Sequence, residues 1–391
     1  MSLDLARLRA ETPGCAGHLH FNHAGASLMP EPVLDAVIGQ LRREALEGAM
    51  EAGAAAAGRI EAARGSAARL LGAEPGEIAF AASGSAAWGL AFAALGPLRP
   101  GDRILVGRQE WGGNLATMRR AAERAGACIE AVPCDEAGQV SAAALTELLD
   151  ERVRLVALTW LPANGGLINP AAAIGQVTRR AGVPYFIDAG QALGQMPVDV
   201  ADLGCDVLKG AGRKYLRGPR GTALLYVRSG FLDRCEPPYL DVASAPWSDA
   251  GRQSLRPDAR RFETSELPVA LLLGLGAALD YALALGIQDI RRRIDMLAED
   301  LRGRLATIPG VMVRDLGIER SGLVSFTRKG MAASEIKSRL AAQRIAIGAN
   351  GIAYTPLDMT ARGLSEIARA SVSYFTSEDE IDRLAAALRR L

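Results

Sequence analysis

Lys214 is the residue around which chemistry is most readily built in this chain. It lies in Ala211-Gly212-Arg213-Lys214-Tyr215-Leu216-Arg217-Gly218-Pro219-Arg220-Gly221, between Asp206-Val207-Leu208 and Thr222-Ala223-Leu224-Leu225-Tyr226-Val227. Glycine and proline supply turn chemistry here, so the stretch reads as a loop joining two strands. A solvated basic turn is the plain alternative, and for an isolated lysine the better one. Tyr185-Phe186-Ile187-Asp188-Ala189-Gly190-Gln191 changes that balance: an apolar strand ends in a carboxylate 26 positions before Lys214. A lysine amine can form a Schiff base with an aldehyde, and a carboxylate can pair with a pyridinium nitrogen so that the ring accepts electrons. Together these are the needs of pyridoxal 5'-phosphate (PLP) chemistry.

The two segments resemble the class V aminotransferase family, the cysteine-desulfurase-like branch of fold-type I PLP enzymes. That family carries Asp-x-x-Gln, then a Lys followed by a Gly-Pro-x-Gly turn. Here these are Asp188-Ala189-Gly190-Gln191 and Lys214 followed by Gly218-Pro219-Arg220-Gly221. The pair is specific where either half alone is weak, and the resemblance runs from about Phe21 to the C-terminus. It implies a homodimer whose active site is shared across subunits.

The elements around these motifs alternate. Residues 32–72 carry apolar residues at helical spacing, and Glu77-Ile78-Ala79-Phe80 reads as a strand feeding Ala81-Ala82-Ser83-Gly84-Ser85-Ala86. A strand, a Gly/Ser turn and a helix start make a phosphate cradle of free amides, with Gly84, Ser85 and Ala86 as candidates. Ordinary helix caps share that composition. Further strands are expected at 103–106, 128–132 and 153–159, with helices between them. The alternation argues for an α/β fold, a mostly parallel central sheet flanked by helices. Ser85, Trp111, Asn164, Asp188 and Lys214 all fall just past predicted strands, where ligands of such sheets bind. From about residue 285 the pattern becomes a long charged helix and short strands, a small C-terminal α/β domain. The expected parts are a 1–30 segment at the mouth of the site, a 31–284 PLP-binding domain and the 285–391 domain.

The resemblance extends to further residues. Trp111 stands where the family lays an aromatic ring on the pyridine face; a core tryptophan is the alternative. Asn164 and Gln191 are expected at the ring oxygen, and Arg213 at the phosphate. Thr264 and Ser265, in Phe262-Glu263-Thr264-Ser265, are expected at the phosphate of a neighbouring subunit. Arg369 matches the arginine that grips the substrate carboxylate with a planar two-pronged donor. His23 is expected to touch substrate, with a capping role equally open. Tyr354 and Arg217 are expected to line the side-chain pocket.

Composition excludes several other classes. The 391 residues are 49% hydrophobic and 23% charged, with a formal net charge of +1, so no basic field suggests nucleic acid. The five cysteines, Cys15, Cys128, Cys134, Cys205 and Cys235, lack metal-ligand or disulfide-framework spacing, which suits a reducing cytoplasm. The apolar span Leu267–Ile287 contains Asp280 and reads as a buried helix rather than a membrane span. No signal-peptide pattern opens the chain.

Desulfurases of this family carry a mobile cysteine after an Arg-x-Gly loop. The equivalent stretch here, Ile345-Ala346-Ile347-Gly348-Ala349-Asn350-Gly351-Ile352, has no cysteine, and Ala346 replaces the arginine. Glu110-Trp111-Gly112-x-Asn114-Leu115 and the Arg213–Gly221 phrase are most similar to the ergothioneine-pathway C–S lyases. The expected reaction is PLP-dependent β-elimination from a cysteine conjugate or sulfoxide, or selenocysteine. Alternatives are transamination, epimerisation with the same Lys and Asp, or a PLP-like fold retained for binding.

Overall fold

The computed structural model describes residues 3–248 and 251–391. Twelve strands are described: β1 (Leu19–Phe21), β2 (Ile78–Ala81), β3 (Arg103–Gly107), β4 (Cys128–Val132), β5 (Val153–Thr159), β6 (Tyr185–Asp188), β7 (Val207–Ala211), β8 (Ala223–Val227), β9 (Val311–Val313), β10 (Leu323–Arg328), β11 (Ile345–Gly351) and β12 (Glu366–Ser371). Seven form one sheet in the order β2-β8-β7-β6-β5-β3-β4. Only β8 pairs antiparallel with its neighbours, so the other six run in one direction. This is the expected α/β architecture. Strands such as Ile104-Leu105-Val106 and Tyr185-Phe186-Ile187 are buried on both faces, which explains their unbroken apolar runs.

The second sheet, β1-β11-β12-β10-β9, joins the chain's two ends: β1 pairs parallel with β11, the remaining pairs being antiparallel. The segment Ile345–Gly351, aligned above with a mobile loop, is strand β11, followed by a turn at Ile352–Tyr354. Arg9 strengthens this junction by pairing with Glu380 at 2.8 Å.

The apolar span is the helix Val269–Leu285, which packs against Glu31–Glu47 and Ala57–Leu71. It is buried through Leu272, Leu275 and Leu279, while Asp280 at its rim pairs with Ser66 and Arg69. Among the described residues, no single helix is long and apolar enough to cross a membrane. The helix expected over 32–72 is three helices, interrupted at Gly48 (φ 94°) and Ala56. A positive φ at Gly48 breaks the α-helical ladder, which apolar spacing alone does not register.

Candidate active site

Because six strands point the same way, their C-terminal ends deliver side chains to one rim, as expected for open α/β sheets. There Ser83, Gly84 and Ser85 follow β2, Trp111 follows β3, Thr159 and Asp188 end β5 and β6, and Lys209 and Lys214 come from β7 and its loop. They line a cavity of about 590 Å³ with Asn22, Gln191, Arg213, Arg220, Lys337, Tyr354 and Arg369. Six of its lining side chains are basic (Lys209, Arg213, Lys214, Arg220, Lys337 and Arg369), against one acidic, Asp188. Such a cavity suits a phosphorylated ligand and a carboxylate together.

Asp188 is buried and saturated with donors. Oδ1 accepts from Gly190 N at 2.9 Å, and Oδ2 accepts from Asn114 Nδ2 at 2.9 Å and from Lys209 Nζ at 2.6 Å. Burial alone would push its carboxyl up. The charges of Lys209 and Lys214, with the hydrogen bonds from Lys209 and Gly190, outweigh burial and hold it below the ordinary carboxylate range. Lys214 is partly buried on the cavity wall, and desolvation pulls its ammonium down to about 7, with Asp188 opposing and Lys209, Arg213 and Arg369 reinforcing the fall. A neutral amine is thus accessible near pH 7, the form that forms a Schiff base or accepts a proton.

Behind Asp188 stands Glu110, whose side chain organises three elements. Oε1 accepts from Asn114 Nδ2 at 2.8 Å and from Thr159 Oγ1 at 2.9 Å, while Oε2 accepts from Thr159 N at 2.9 Å. The Thr159 hydroxyl in turn accepts from Trp111 N at 2.9 Å. One carboxyl therefore fixes the aromatic plate and, through Asn114, the acid. Desolvation first, and the Asp188 charge second, raise the Glu110 carboxyl to about 7 against the hydrogen bonds from Asn114 and Thr159. At Gly112 the chain passes so close to the Ile352–Tyr354 turn that a Cβ would lie 1.9 Å from Ala353 O, so only glycine fits there.

Of the three residues expected to cradle a phosphate after β2, Gly84 and Ser85 lie on the cavity wall and Ala86 does not. Ser83 caps the helix Gly84–Ala93 by accepting from Ala86 N, so Ala86 is committed to the cap and lies off the cavity wall. Gly84 and Ser85 remain, with the orphan amides of a first turn. On the opposite wall, Arg369 of β12 donates from Nη1 to Ala163 O at 2.7 Å, and its buried Nε has no partner. Gly348 leaves the room for this arginine: a Cβ there would come within 2.6 Å of Nε. Burial lowers the Arg369 guanidinium to about 10. The Gln191 amide donates to Ala24 O at 3.0 Å and leaves its buried Oε1 unpartnered on the cavity wall.

Three expectations are corrected. His23 is wholly buried off the cavity, with Nδ1 2.8 Å from Ser27 Oγ and its ring edge-on to Phe375. Arg217, also off the cavity, donates to Leu28 O, Tyr374 Oη and Thr12 Oγ1 and stacks on Phe375 at 4.1 Å, strapping the lysine loop to both ends of the chain. Asn164 lies off the cavity wall, donating to Thr355 Oγ1 at 3.0 Å beside Asn350 of β11. Thr264 and Ser265, expected at the phosphate of a neighbouring subunit, stand outside this chain's own cavity, with Ser265 Oγ donating to Asp241. Gly84, Ser85, Trp111, Asp188, Gln191, Arg213, Lys214, Tyr354 and Arg369 do converge on it.

Lys209 is the residue that sequence reasoning missed. A lysine two places into the apolar run before the loop was the available signal. Its alignment with Asp188 across the β6–β7 pair is a matter of register. The residues meet the needs of PLP: an amine, a fixed carboxylate, an aromatic plate, a helix start and an orphaned amide oxygen around one basic cavity.

The sequence model of the aminotransferase class-V family matches residues 19–384. A cysteine desulfurase of Pectobacterium atrosepticum is 30% identical over 413 residues, covering 100% of this chain and 98% of that protein. The cysteine desulfurase CsdA of Escherichia coli superposes with a TM-score of 0.89 at 25% identity, over 100% of this chain and 98% of that one. The cystine C–S lyase C-DES, solved with its reaction product cysteine persulfide, superposes with a TM-score of 0.87 at 26% identity, over 97% and 99%.

Proposed function

Because the chain belongs to the aminotransferase class-V family of PLP enzymes, we propose that it is a β-eliminating C–S lyase. Its substrate is a cysteine-derived amino acid, a conjugate, a sulfoxide or a selenium analogue, and no protein persulfide forms. One observation carries this reading: among the described residues, no cysteine lies around Lys214 and Arg369 on the cavity wall. The stretch aligned with the desulfurase loop is tied into a sheet as β11. A cystine C–S lyase among the relatives by fold is consistent with it.

The bound cofactor supplies the electron sink that a Cα carbanion needs. Arg369 receives the substrate carboxylate with its free Nε and fork, setting the Cα–H bond toward Lys214. The neutral Lys214 amine accepts the Cα proton. Asp188 keeps a fixed negative charge for the ring nitrogen, held there by Asn114 and Gly190. The Cβ–S bond breaks with its electron pair leaving on sulfur, so the leaving group departs with no nucleophile from the chain. The released aminoacrylate hydrolyses to pyruvate and ammonia. The cradle residues Ala82, Ser83 and Ser85 are exposed, and a second copy covering them with Thr264 and Ser265 would complete a dimeric site.

The test incubates PLP-loaded protein with cysteine, cysteine sulfoxides, cystine and selenocysteine, and assays pyruvate, ammonia and alanine. Pyruvate with equal ammonia is expected. Alanine would mean sulfur or selenium removal by a desulfurase route, and a pyridoxamine-form spectrum with neither product would mean transamination. Either result overturns the lyase reading.

A further inference from the structure

Lys209 makes the shortest ion pair in the cavity, with Nζ 2.6 Å from Asp188 Oδ2 and both side chains more than nine-tenths buried. It therefore sits on the carboxylate that a cofactor's ring nitrogen also requires. A buried carboxylate without a cation is costly, so without cofactor this pairing stabilises the site. Yet Nζ also lies at the cradle: a Cβ on Gly84 would be 3.2 Å from it. It stands 5.1 Å from the centre of the Trp111 ring as well. An ammonium beside the start of the helix Gly84–Ala93 faces the positive end of the helix dipole, an arrangement that becomes favourable once an anion lies between them. Lys209 thus reaches, from one position, both the carboxylate and the turn where a phosphate fits.

We propose that Lys209 is a shared counter-ion of the site. Without cofactor it neutralises Asp188; with cofactor its ammonium turns to the phosphate at Gly84 and Ser85, releasing Asp188 Oδ2 for the ring nitrogen. Lys209 is thus a positioning residue that couples occupation of the cradle to exposure of the acid. This rests on the PLP reading above and deepens it.

The consequence is a selective dependence on phosphate. Apparent Kd values for PLP and for pyridoxal, which lacks the phosphate, would be titrated by absorbance on protein stripped of cofactor. Wild type, K209M, K209Q and K209R would be compared. In K209M and K209Q the Kd for PLP should rise by about tenfold or more, the usual scale of a lost charge-assisted hydrogen bond. In K209M the Kd for pyridoxal should stay level or fall, because the competitor for Asp188 is gone, and in K209Q it should stay level. K209R should keep most of the phosphate preference. Inorganic phosphate should raise the Tm of stripped wild type and not that of K209M. K209Q can still donate to Asp188, so it separates loss of charge from loss of the hydrogen bond if K209M folds poorly. Equal weakening for PLP and pyridoxal would reduce Lys209 to a prop of Asp188, and unchanged affinities would remove it from the site; both overturn the proposal. Failure of wild type itself to take up PLP would instead overturn the functional reading, so the two failures are distinct.

Discussion

Replacing Glu110 with glutamine should change how stability depends on pH, by an amount the structure sets. Glu110 is fully buried, makes no ion pair in the described residues, and its carboxyl is raised from 4.5 to about 7. Between those values the folded chain keeps a proton that the unfolded chain has released. Stability from this group is therefore fully present below about pH 4.5 and is lost as pH rises to about 7. At roughly 1.4 kcal/mol per pH unit, the loss is about 3 kcal/mol. Glutamine has no such proton. Its amide also sets an NH2 group against Thr159 N, or against Asn114 and Thr159 Oγ1 in the other orientation, adding a penalty of about 1–3 kcal/mol. Wild type should thus exceed E110Q by the largest margin near pH 4.5, the margin shrinking by about 3 kcal/mol by pH 7. Urea unfolding of cofactor-stripped protein at half-unit pH steps measures it, with m-values compared to check that the transition is unchanged. A margin constant within about 1 kcal/mol would mean that Glu110 titrates as an ordinary exposed carboxyl, refuting the account of a dry carboxyl beneath the acid.

Other substitutions separate site from scaffold. Arg369→Ala should raise KM for an amino-acid substrate by about 10- to 100-fold with kcat changed much less, the signature of lost ground-state binding; steady-state kinetics with an unchanged KM would remove its carboxylate role. His23→Ala deletes a ring packed on Phe375 and the contact with Ser27. It should lower stability by about 1–3 kcal/mol and leave KM within about twofold, so a changed KM at unchanged Tm would return His23 to the substrate.

Part of this protein was legible because its signals are local. Strand-ending Asp188, the glycine-flanked Lys214 and the Gly/Ser turn at Gly84 and Ser85 each announce themselves within a few residues. Alternating apolar runs place them all past strand ends, and a mostly one-directional sheet must collect such ends on one rim. What stayed hidden depends on register and on contacts between distant segments. Lys209 faces Asp188 because β6 and β7 pair as they do, and a one-residue slip would turn it to the other face. Glu110 becomes a buried anchor only when β5 brings Thr159 beside it. Arg217 and His23 look like site residues from their neighbours in sequence, yet Phe375, brought from the far end of the chain, captures both. Residue chemistry and spacing determine which groups can react; which of them meet around the cavity is decided by strand pairing and by the closure of the two chain ends, because those contacts join segments that no local pattern connects.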